Sequence, residues 1–282
     1  MKIFNRATIS ENQQSLPMAL GIKGTGNIKS DFVSALNSFQ EVRMQYSNSP
    51  KFTFDDKDMI AGLYRAHVLE QVIPVNNFIY TNDEKKRIEE KTKEGIDILR
   101  GLNPILVMLF DELINQLTFI NSDLLEGGSA TCYVGFIWLA PKETWTGMYY
   151  GELLLHEFVH NSLFLEDMIG NIFPNPKELM SRDAMATSAI LRYKRNFDKS
   201  YHSALVSSAL VYYYAKLGLE KKADSFVLPA LKTIRELKNN YLKLKDKGRQ
   251  ILTQNGFDIL LSAEKLLQTR DTDIIDNELQ KL

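Results

Sequence analysis

"SATCYVGFIWLAPKETWTGMYYGELLLHEFVHNSLFLEDM" (129–168) changes its period half-way along, and that change decides the fold class. Residues 129–141 are rich in β-branched and aromatic side chains, are entered from Gly127-Gly128 and close at Pro141, which predicts a strand. From about Thr146 to Met168 the pattern turns helical, with apolar residues on every side of "ELLLHEFVHNSLFL", which predicts a buried helix. Within that apolar helix stand His156, Glu157 and His160, which need partners if they are to leave water.

Outward from this stretch, helical periodicity dominates. "SDFVSALNSFQEVRMQYS" (30–47) offers Ser30 and Asp31 as caps and spaces Phe32, Val33, Leu36, Phe39 and Val42 along one stripe. "DKDMIAGLYRAHVLEQVI" (56–73) reads as a helix ending at Pro74, with His67 half-buried on its amphipathic face. Residues 82–102 mix both charge signs, with Glu89 and Lys93 spaced to pair on a solvated helix face. An apolar core helix is expected over 104–120. Beyond "GNIFPNP" (170–176), helices are expected near 177–192, 202–217, 220–248 and 256–270, with a kink or restart at Pro229 and a turn at "QNG" (254–256). No repeat or Pro/Gly/Ser linker interrupts the chain, so the expected architecture is one mainly α (α+β) domain over 1–282, with its functional core at about 129–217.

Composition excludes several classes. With 44% hydrophobic residues the 282-residue chain can bury a substantial core. Its 34 basic and 35 acidic residues nearly cancel, which removes the footprint of a nucleic-acid or anionic-membrane binder. A single cysteine excludes an internal disulfide framework, and Cys132 reads as a small residue on a buried strand. The first residues lack the apolar stretch of a signal peptide, and "ILVMLF" (105–110) stops at Asp111, far short of a membrane span. A cytoplasmic protein is the expectation.

The sharpest signal is H-E-x-x-H. Residues four apart share a helix face, so His156 and His160 can present imidazole nitrogens to one metal ion. Glu157 is turned by about 100° from His156 and reaches the edge of such a site more readily than its centre. A third ligand must come from elsewhere. A further histidine in the same helix is excluded, because Leu163 and Glu166 stand where glycine and histidine would be needed. Glu178, eighteen residues past His160, would complete a zinc site of gluzincin type, with Glu157 as general base. His202 is favoured over it, since three of the four histidines fall within 156–202.

From the strand through the helix that carries His202, the pattern resembles the HExxH-type, 2-oxoglutarate-dependent peptide β-hydroxylases that modify ribosomally made peptides. That family follows H-E-x-x-H with an arginine, a proline and, seven residues after the arginine, a histidine followed by a small residue. Here "RNFDKSYHS" keeps Arg195, His202 and Ser203, while Asn196 stands at the proline position and Tyr201 at an aliphatic or phenylalanine position. The resemblance spans about 129–217. It implies Fe(II) held by His156, His160 and His202, with 2-oxoglutarate as cosubstrate. Arg195 would meet the far carboxylate of that cosubstrate, with Arg192 the second choice, because a planar guanidinium matches a carboxylate bidentately. Glu157 would orient a ligand or water, and the strand at 131–138 would pair with an extended precursor peptide. A zinc metallopeptidase and a non-catalytic helical scaffold are the competing expectations.

Overall fold

Capping side chains decide where most of the helices begin. The computed structural model describes residues 1–41, 43–69, 79–123 and 125–281, and it is mainly α with a small sheet, as the sequence predicts. The chain divides into two units, Ile9–Phe164 and Met1–Thr8 with Leu165–Leu282.

In the Ile9–Phe164 unit, α1 (Arg6–Ala19) enters from the other unit and was not foreseen. Helix α2 (Ile28–Phe39) is capped by Asn27, whose side chain accepts the N–H of Ser30; Ser30 and Asp31 therefore lie inside its first turn. Phe32, Val33 and Leu36 are buried but Phe39 is exposed, so the stripe ends early; Val42 lies outside the described residues. Strand β1 (Lys51–Phe54) follows, then α3 (Lys57–Arg65), capped by Asp56. His67 lies past the end of α3, exposed and at φ 55°, rather than half-buried on a helix face. The expected end at Pro74 lies outside the described residues.

Thr81 and Glu84 close a capping box at α4 (Asn82–Leu102), and Lys93 meets Glu89 at 3.9 Å as expected. The core helix expected over 104–120 is two elements, α5 (Pro104–Leu113) and strand β2 (Gln116–Phe119). The helix stops because Ile114 turns to extended backbone and the Asn115 N–H donates to Gly135 O instead of continuing a helical ladder. The strand expected over 129–141 is a hairpin, β3 (Gly127–Ala130) and β4 (Tyr133–Leu139). Cys132 sits in the turn between them and is exposed, not buried on a strand. The sheet order is β1-β2-β4-β3, with β1, β2 and β4 parallel and β3 antiparallel to β4. Every residue of β4 is buried, which suits a strand flanked on both sides. Helix α6 (Gly147–Gly170) then begins at Thr146, whose hydroxyl oxygen accepts the Tyr149 N–H, and runs as the sequence predicts.

In the second unit the helix expected over 177–192 is replaced by α7 (Pro176–Leu179) and a hairpin of β5 (Ala186–Thr187) and β6 (Lys194–Arg195). Side chains of α9 (Glu220–Asp246) impose this. Asn240 donates to Ala184 O and Met185 O, and the Thr187 N–H donates to Glu236, so backbone groups a helix would use internally are bound elsewhere. Between them α8 (Phe197–Lys216) starts five residues before the expected 202 and is buried on nearly all sides. Helix α9 passes through Pro229 without a restart. "QNG" is the first turn of α10 (Gln254–Thr269), capped by Thr253, rather than a free turn, and α11 (Asp273–Leu279) ends the chain. Among the described residues no helix is long and apolar enough to cross a membrane.

Candidate metal centre

Helix α6 is buried on most of its surface, and a half-exposed stripe through His156, His160 and Phe164 is the exception. On that stripe the two imidazoles converge: His156 Nε2 and His160 Nε2 stand 3.2 Å apart, and the ring of Phe164 stacks on His160 at 5.9 Å. Two nitrogens each about 2.0–2.1 Å from one tetrahedral ion would stand about 3.3–3.4 Å apart. The observed pair, whose rings are within hydrogen-bond distance of each other, is within about 0.2 Å of the separation that shared coordination needs. Glu157 lies beside it, buried, with Oε1 3.7 Å from His156 Nε2 and Oε2 accepting the Ser129 hydroxyl at 2.7 Å. The two imidazoles fit a divalent ion as a half-site, with the Glu157 carboxylate beside it and not part of it. Among the described residues no group of three His, Cys, Asp or Glu side chains is assembled to hold a metal ion.

Two residues that the sequence reading did not single out place this pair. Asn161, fully buried, follows the motif directly; its Oδ1 accepts the Gly135 N–H at 2.8 Å and its Nδ2 donates to Glu157 O at 3.0 Å. Gly135, where β4 is tied to α6, has φ 81°, a conformation that favours glycine. Ser129 on β3 makes the second tie, one helical turn back at Glu157. A polar Asn on an apolar helix face was the available signal for the first; nothing in the sequence marked Ser129.

The other expected site residues belong to the second unit. His202 lies in the second turn of α8, buried, its ring against Phe173. Burial, and secondarily Lys199, pushes its imidazole down to about 3, so it is neutral, the form that metal ligation requires. Arg195 ends β6 half-buried, two residues before α8, whereas Arg192 is exposed at φ 64° in the hairpin. Glu178 is engaged: the guanidinium of Arg249 donates to its Oε2 from both Nε, at 2.9 Å, and Nη2. Glu166 accepts from Asn255 Nδ2 at 2.6 Å. No protein-family model matches this chain, and no curated protein is similar enough to it to match.

Proposed function

We propose that this chain is an Fe(II)- and 2-oxoglutarate-dependent hydroxylase that acts on a β-carbon of a ribosomally made peptide in the cytoplasm. The observation that carries the metal half of this reading is the 3.2 Å approach of the His156 and His160 nitrogens on one face of α6. His156 and His160 would hold the ion, and His202 is the third ligand that the resemblance assigns. The chemistry a bound iron would supply there is reduction of dioxygen against 2-oxoglutarate, which is decarboxylated as a peptide C–H becomes C–OH.

The chain's own residues do the rest. Glu157, beside His156 rather than on the shared imidazole face, orients a ligand or a water and does not itself bind the ion. Arg195 is the first candidate to meet the far carboxylate of the cosubstrate, and Arg192, in its exposed position, remains second. The backbone at Asn196, φ −54°, is one that proline also adopts, so the departure from the family pattern there leaves the entry to α8 unchanged. The peptide cannot pair with β4 as expected from the sequence, because β2 and β3 already flank it. The edge beside Glu157 is β3, and an extended peptide would add there.

The zinc peptidase reading needs Glu178 as a ligand, and Arg249 already holds its Oε2. One titration separates the readings. Protein loaded anaerobically with Fe(II) should develop a metal-to-ligand absorption band on adding 2-oxoglutarate, and Arg195→Ala should weaken that binding tenfold or more, about 1.4 kcal/mol. Absence of the band, with peptide hydrolysis by the zinc-loaded protein, would overturn the hydroxylase reading in favour of the peptidase.

A further inference from the structure

The carboxylate of Glu157 is split between two tasks, and one of them belongs to a residue outside the motif. Its Oε2 receives the Ser129 hydroxyl at 2.7 Å, and its Oε1 faces His156 Nε2 at 3.7 Å. We infer that Ser129 is the positioning residue of the metal centre: its hydroxyl fixes Glu157 so that the other carboxylate oxygen is held toward the edge of the His156 ring. The inference rests on the reading that His156 and His160 bind a divalent ion.

Three observations support it. The terminal torsion of a glutamate is soft, so a carboxylate with one oxygen unbound would swing freely over a broad arc. Ser129 removes that freedom on a buried group, where a hydrogen bond to a carboxylate is worth more than at the surface. The register of β3 against β4 breaks between Gly128 and Ala130, which is where Ser129 stands. Such irregularities re-aim side chains, and this one delivers the hydroxyl to α6. Finally, Glu157 and Asn161 are one helical turn apart and each is tied to the hairpin, to β3 and to β4 respectively. Two ties on one line of a helix fix its rotation about its own axis, and so the direction in which His156 and His160 point.

The test uses the full-length protein with Co(II), whose visible bands report ligand geometry. Ser129→Val and Ser129→Thr are both β-branched and suit a strand, but only Thr keeps the hydroxyl. Ser129→Val is expected to weaken Co(II) binding by about tenfold or more and to shift the visible bands, while Ser129→Thr retains both. In a Glu157→Gln background the same Val substitution should matter less than about twofold, because its effect runs through the carboxylate. Equal affinities and spectra for the Thr and Val variants would overturn the inference and leave the metal reading intact. So would a Val defect that persists undiminished in the Glu157→Gln background. Wild-type protein that binds no more Co(II) than its His156→Ala variant would remove the metal reading, and the inference with it.

Discussion

His202 shows how much a single buried group ties this chain to pH. Its imidazole is pushed down to about 3 from an ordinary 6.5, by burial first and by Lys199 second. The unfolded chain therefore binds one proton more than the folded chain throughout the window between those values. Stability from this group is fully present above about 6.5 and is lost as pH falls toward 3. In metal-free protein, urea unfolding at pH 7, 6 and 5 should show wild type losing more stability than His202→Gln, the difference approaching about 1.4 kcal/mol per pH unit below 6. Identical pH slopes would mean that the imidazole is in contact with water. Asn161 makes the complementary point without titrating. Asn161→Leu fits the helix but orphans the Gly135 N–H, and should cost about 1–3 kcal/mol in the same assay. A change under about 0.5 kcal/mol would show that α6 does not need its tie to β4.

At the scale of elements, close backbone approach sets where α6 sits. Gly95 on α4 faces the backbone of α6, and a Cβ there would lie 2.7 Å from Gly151 N. Gly95→Leu should force the two helices apart and destabilise the protein by about 1–3 kcal/mol, seen as a lower denaturant midpoint. An unchanged midpoint would mean that the pair can slide. The long helices α4, α6, α8, α9 and α10 were legible because each carries its own period or caps over many residues. What was not legible depends on bonds made from a distance. Residues 104–120 are apolar enough for either helix or strand, and only pairing with β1 and β4 makes Gln116–Phe119 a strand. Residues 177–192 look helical until Glu236 and Asn240 on α9 take their backbone groups. The site divides the same way. His156, Glu157 and His160 were legible because one helix sets their spacing, whereas Ser129 joins them through a strand irregularity that no local pattern announces.

For the whole molecule, the informative question is which parts of the chain respond to a metal. An ion that binds only folded protein adds RT ln(1 + [L]/Kd) to stability, about 2.7 kcal/mol at a hundredfold excess over Kd. His156 and His160 both lie in the Ile9–Phe164 unit, as do β3, β4 and most of α6. Zinc should therefore slow amide hydrogen exchange of peptides covering 127–139 and 150–164, and His156→Ala should abolish the effect. Peptides from α8 carry a separate answer. If His202 completes the ligand set, peptides covering 197–206 slow at the same zinc concentration, and His202→Ala removes their response while weakening that of α6. If the histidine pair binds alone, α8 exchanges as it does without metal. Slowing at 176–183 instead, lost on Glu178→Ala, would mean that Glu178 binds the ion, and the peptidase geometry would replace the hydroxylase one.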